Sequence, residues 1–204
     1  GGLWAEMDIH QIDEICWLKD DNYPVTAHGI CGRAANRKDA GQGLDSFSVE
    51  YTFADGAKAY DVVRYLPNCY TEFATFVHGT KRAAQFSGTV HSGTCHIYKD
   101  QRCAPFKVSA KYDRDSGQYV YTEEARSARD DIIWQAPKEN YTCWQAEWNV
   151  LLNSIRQDLP QNEAQRAAYS NLTGLMGRAA MHMGRVITWD EMLQSNFELC
   201  PNID

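Results

Sequence analysis

Long apolar runs are missing from this 204-residue chain: the longest extend only a few residues, so no segment is expected to span a membrane as a helix. Basic residues are in the minority, 20 Lys and Arg against 27 Asp and Glu. The net charge of -7 repels phosphate backbones and argues against a nucleic-acid partner. The seven cysteines, Cys16, Cys31, Cys69, Cys95, Cys103, Cys143 and Cys200, are odd in number and follow no repeated spacing. That excludes a simple disulfide framework and favours reduced thiols in a reducing compartment. No internal repeat, low-complexity segment or strand-borne G-x-G-x-x-G is found. What remains is the ordinary apolar and charged content of a globular protein, long enough to bury a core. Residues 1–204 are expected to form a single domain.

The order of patterns is helix, strands, helices. Ile9, Ile12 and Cys16 recur at three- and four-residue spacing and predict a helix over 3–19, ended by Asp20, Asp21, Asn22 and Pro24. Residues 25–35 are strand-like, with small residues where another backbone can approach. KDAGQG (38–43) is expected to turn. Segments 44–53 and 58–65 alternate apolar and polar around Ala54-Asp55-Gly56, a hairpin signature. Further strands are expected at 72–80 and 83–88 and, shorter, within 91–125, with 126–140 irregular. Trp144, Trp148, Leu151, Leu152 and Ile155 form a helical apolar stripe of the kind that usually packs inward. Asn162 with Gln165 opens a helix over 163–183 closed by Gly184, and Thr188 with Glu191 opens a short one. This order predicts an α+β fold: an open, mostly antiparallel sheet with helices on one face.

The chemistry-bearing candidates sit at the start. In GGLWAEMDIHQID, Glu6, His10 and Asp13 fall at i, i+4 and i+7, on one face of a helix. A carboxylate one turn before a histidine can fix its tautomer and raise its basicity, giving a general base near neutral pH. The same spacing is common on helix surfaces that do no chemistry.

This segment resembles the glycine-led, acid-x-x-x-His-x-x-Asp stretch of the Gfo/Idh/MocA family of nicotinamide-dependent oxidoreductases. WQAEWNVLLNSIRQDLPQNEAQRAAYSNLTGLMGRAAMHMGRVITWDEML (144–193) is similar to the closing helices of that family. The resemblance covers both ends and implies the family's second half, an open sheet backed by helices that contacts substrate and forms oligomers. The dinucleotide-binding Rossmann half and the Glu-Lys-Pro tripeptide with the catalytic lysine match nothing in these residues. The chain therefore reads as a C-terminal domain starting inside the site-bearing segment. By resemblance, His10 is the group that takes the substrate hydroxyl proton. Glu6 stands where many members have aspartate, one methylene shorter. Asp13, as a supporting acid, and Arg33 are expected on the substrate side. The implied reaction is removal of a proton from a secondary alcohol of a sugar, cyclitol or polyol, with hydride passing to NAD or NADP. The cofactor belongs to the full-length protein; none is expected on this domain alone. A homo-oligomer through the sheet face is expected, as is the cytoplasm, although an export leader would lie upstream.

Two other readings stay open: cofactor-dependent glycoside cleavage within the same family, and a non-catalytic binding or assembly domain. HSGTCHIYKDQRC (91–103) gathers His91, Cys95, His96 and Cys103, but the spacing fits no tight zinc knuckle, and no metal is expected. His78 reads as a strand residue, and Trp144 and Trp148 as core rather than a sugar platform.

Overall fold

A computed structural model describes residues 2–33, 43–70, 72–88, 95–101, 106–125, 131–137 and 142–196. In chain order the elements begin with α1 (Gly2–Glu6), α2 (Ile9–Leu18), β1 (Thr26–Gly32), β2 (Ser46–Thr52) and β3 (Lys58–Arg64). There follow β4 (Phe73–His78), β5 (Ala83–Gly88), β6 (His96–Tyr98), β7 (Phe106–Asp113), β8 (Gln118–Ala125) and β9 (Ile132–Gln135). The chain closes with α3 (Cys143–Gln157), α4 (Ala164–Met183), β10 (Ile187–Thr188) and α5 (Trp189–Leu193). Among the described residues every strand pairing is antiparallel, and the helices lie at the two ends of the sequence, so the α+β class is as expected. The chain divides into two compact units, Gly1–Tyr70 with Pro160–Asp204, and Thr71–Leu159.

The first unit is a four-stranded sheet, order β10-β1-β2-β3, with α4, α1 and α2 packed on it. Strand alternation decides its faces. Phe47, Val49 and Tyr51 of β2 point inward, whereas Ser46, Ser48, Glu50 and Thr52 stand on the other face. The β2–β3 hairpin pairs Thr52 with Lys58 around Ala54-Asp55-Gly56, and Gly56 takes the left-handed φ of +85° that its turn needs. The helix layer comes very close. A Cβ on Gly29 of β1 would lie 2.7 Å from the Ser48 carbonyl oxygen and 2.8 Å from Met181 Cγ. The small residues expected in this strand mark that approach. The core gathers Trp4, Ile12, Phe47, Val49, Tyr51, Phe53, Met176, Ala180 and Ile187.

In the second unit β4-β5-β6-β9 form one sheet, and β7-β8 a separate hairpin. Strand β9 lies in the stretch expected to be irregular, because cross-strand pairing of Ile97 with Trp134 overrides a sequence context of charges and Pro137. Helix α3 is capped by Thr142, whose hydroxyl accepts from the Gln145 N–H at 3.3 Å. Its stripe is not core, however. Trp144, Trp148, Leu151, Leu152 and Ile155 are all exposed, and α3 has no buried residue.

Two local expectations change. The helix predicted over 3–19 is broken at Met7–Asp8, where the backbone turns between α1 and α2. Asp20 and Asp21 then end α2 with left-handed φ values of +53° and +56°. At α4, Asn162 Oδ1 accepts from Ala164 N–H rather than forming a box with Gln165. The Thr188–Glu191 box does form, in both directions. The turn expected at 38–43 falls, but for its last residue, outside the described residues. No helix of the described residues is long and apolar enough to cross a membrane.

Candidate functional site

The segment carrying the predicted site is pinned to α4 on both sides of its break. Trp4 of α1 is fully buried, and its indole N–H donates to the Gly174 carbonyl at 2.8 Å. Its ring lies 6.0 Å from that of Phe47. Cys16, near the end of α2, is buried against the Thr173 hydroxyl, and this burial pushes its thiol pKa up. It is an inert packing residue rather than a nucleophile.

Between these anchors the chain turns. Met7 N–H and Asp8 N–H both reach back to the Leu3 carbonyl, at 2.9 and 3.4 Å, and α2 restarts with Ile12 N–H on the Asp8 carbonyl at 3.1 Å. Glu6 therefore ends one helix and His10 sits in the first turn of the next, both exposed. The single line of Glu6, His10 and Asp13 along one helix is not kept. His10 and Asp13 share α2, three residues apart.

Asp13 has a definite partner. Arg166 of α4 donates to its Oδ1 at 2.8 Å and to Glu163 at 3.3 Å, while its guanidinium lies 4.8 Å from the Trp17 ring centre. Asp13 thus ties α2 to α4, and Arg166 is the residue that the sequence reading missed. Its signal was weak, because one arginine on a helical pattern says nothing about which carboxylate it meets. Arg33 follows the end of β1 and is exposed.

The inner end of the turn is acidic. Asp8, the N-cap of α2, makes no side-chain cap and lies buried against Asp61 of β3. Burial, with Asp61 beside it, raises the Asp8 pKa to about 10. Asp61 is raised as well, by burial.

A depression of about 410 Å³ lies elsewhere in the first unit, between Asp21–Val25 and Thr188–Asp190. Tyr23 and Trp189 line it but stack on each other, centroids 5.1 Å apart and planes 6° apart. Tyr169 meets them edge-on. Their faces cover one another, which leaves them poor sugar platforms. In the second unit, Cys95 and His96 are half-buried, whereas His91 and Cys103 lie outside the described residues. Among the described residues no group of three or more His, Cys, Asp and Glu is arranged for a metal ion. His78 stands on β4, its Nδ1 3.2 Å from the Gln101 carbonyl oxygen.

No family model matches the chain, and no curated protein sequence matches it. Solved structures do. Aldose-aldose oxidoreductase from Caulobacter crescentus aligns with a TM-score of 0.58 at 15% identity, covering 88% of this chain and 45% of that one. UDP-N-acetylglucosamine 3-dehydrogenase from Acidithiobacillus ferrooxidans aligns at 0.55 and 18%, covering 86% and 47%. An NAD-binding protein from Listeria innocua aligns at 0.52 and 15%, covering 92% and 48%. The chain spans about half the length of each. It has the fold of the C-terminal domain of the Gfo/Idh/MocA-type oxidoreductases.

Proposed function

We propose that this chain is the substrate-binding and oligomer-forming domain of a nicotinamide-dependent oxidoreductase acting on a sugar, cyclitol or related polyol. The observation that carries the reading is the fold match over 88% of the chain to one half of an aldose-aldose oxidoreductase. It is supported by the exposed His10 in the first turn of α2, held from behind by Trp4 and by the Asp13–Arg166 pair. In this reading a separate dinucleotide-binding half holds NAD or NADP, which accepts the hydride. His10 takes the hydroxyl proton, Glu6 and Arg33 meet the substrate, and Asp13 steadies α2. The odd, unpatterned cysteines, read as reduced thiols, favour the cytoplasm.

The test starts from the native protein in its source. Its mass should exceed this chain by about 150 residues, with a G-x-G-x-x-G peptide in the excess. In that whole enzyme His10→Ala should lower turnover of the responsive sugar by roughly two to four orders of magnitude, with NAD(P)H affinity nearly unchanged. A native chain without a cofactor half, or an unchanged rate, would sink the reading.

Oligomer formation rests on the outer face of the β1-β2-β3 sheet. Ile30, Tyr60 and Val62 stand there 70%, 70% and 66% exposed. The register places Ile30 and Val62 on either side of Ser48, with Tyr60 opposite Glu50. An apolar patch of this kind favours a self-complementary contact. Sedimentation should show a dimer or larger, and Tyr60→Lys should shift it toward monomer; a wild-type monomer at high concentration refutes the contact.

A further inference from the structure

Two buried acids that the proposed chemistry does not use meet in the first unit. Asp8 is 6% exposed and Asp61 7%. Strand alternation turns Asp61 inward between the exposed Tyr60 and Val62. Each carboxyl group has the other as its interacting neighbour. The Oδ2 of each has no partner, and neither acid forms an ion pair among the described residues. Two buried carboxylates in contact without a cation repel strongly, and a hydrogen bond between them requires a proton on one.

Asp8 also gives up its ordinary role. An aspartate at an N-cap usually has extended backbone and accepts from the next turn's N–H groups. Here its φ and ψ are -78° and -10°, and its side chain makes no cap. Gln11, three residues on, is likewise buried with both amide atoms unpartnered, so α2 brings neutral polar groups to this side rather than a cation.

We propose that Asp8 and Asp61 share one proton in the folded chain, Asp8 as the acid and Asp61 as the carboxylate, and that this bond locks the α1–α2 turn onto β3. The neighbouring Val62 N–H favours the charged form of Asp61, which makes Asp61 the better anion. The lock lies two residues before His10 and fixes where α2 begins. It belongs to the folding of this chain and stands apart from the oxidoreductase reading.

Among the described residues, the surrounding elements bring no other charge into the pair. Tyr51 of β2 faces it, held neutral by burial, its hydroxyl donating to the Thr173 carbonyl at 3.0 Å. Cys16 of α2 is a buried thiol with a raised pKa. Arg166 of α4 is engaged by Asp13 and Glu163. Glu6 of α1 is exposed, as are Lys58 and Arg64 on the other face of β3.

The sign follows from proton binding. Unfolded, Asp8 ionises near 3.8; folded, it holds its proton to about 10. Between those values the folded state carries one more proton, so the contribution is full below pH 4 and is lost as pH rises toward 10. The test is urea unfolding of this chain and of Asp8→Asn from pH 5 to 9, with infrared spectra of the folded wild type at pH 7. The wild-type folding constant should fall about tenfold per pH unit relative to Asp8→Asn, the amide replacing the protonated acid. The wild type should also show a carboxylic-acid carbonyl band that asparagine at position 8 removes. Parallel pH profiles overturn the proposal. So does the absence of that band, which can be read even if the variant fails to fold. So does stabilisation by a sodium, potassium or calcium salt beyond that of a choline salt at equal ionic strength, which would make the occupant a metal ion.

Discussion

Single residues set how closely the helices approach the first sheet. A Cβ on Gly177 of α4 would lie 2.2 Å from the Tyr51 hydroxyl oxygen and 2.9 Å from Trp4 Cζ2, both among the most deeply buried side chains. Neither neighbour can move cheaply, because Trp4 is hydrogen-bonded to Gly174 and Tyr51 to the Thr173 carbonyl. Gly177→Ala should therefore cost about 3 kcal/mol, the upper end for overpacking, read as a lower urea midpoint at unchanged slope. His10 is the opposite case. It is exposed, so His10→Ala in this chain should change stability by no more than about 0.5 kcal/mol. A larger loss would make it a structural residue first.

At the level of elements, the stability of the site depends on how α2 is tied down. The Arg166–Asp13 bond joins two helices whose partners lie 153 residues apart, and both side chains keep some exposure, 20% and 36%. Solvent and salt weaken such a pair. Arg166→Met should cost about 1 kcal/mol, part of it lost packing on Trp17, and should flatten the dependence of the melting temperature on salt. No change in either would mean the helices are held by their apolar faces alone. The capping box of α5 acts more locally, within its own first turn. Arg185 and the Thr188 N–H hold the exposed Glu191 carboxyl at a pKa of about 2. A lowered acid stabilises above its unfolded value of 4.5 and loses that effect as pH falls toward 2. Thr188→Ala removes the reciprocal bond and should cost about 1 kcal/mol, seen as earlier amide exchange in α5.

Across the whole molecule, burial is uneven. The core cluster lies within the first unit, while the second offers only Ala83 and Tyr98 as buried apolar residues among those described. Local stability follows buried apolar contact. Amides of β1, β2 and the middle of α4 should exchange most slowly, and those of β4 and β5 by a lower-energy opening. Equal protection in the two units would contradict this. The exposed stripe on α3 fits the same unevenness: a helix with a clear apolar face and nothing buried contributes little to folding.

The sequence by itself determined the elements whose signals are local. The β2–β3 hairpin follows from alternation around Ala54-Asp55-Gly56, the end of α4 from Gly184 at φ +63°, and α5 from Thr188 and Glu191. Each depends on neighbours within a few residues, so the pattern carries the answer. The α+β order and the likeness to a dehydrogenase half were legible for the same reason. Tertiary structure decided the rest. Periodicity runs unbroken through Met7 and Asp8, yet the helix breaks there, where Asp8 is buried against Asp61, 53 positions away along the sequence. Helical spacing made the α3 stripe look like core, but whether a face is buried depends on what comes to cover it. The same holds for Asp13, whose partner Arg166 lies at the other end of the chain. Hydrogen bonds within a turn are written in adjacent residues. Burial and the pairing of charge are properties of what the fold brings together.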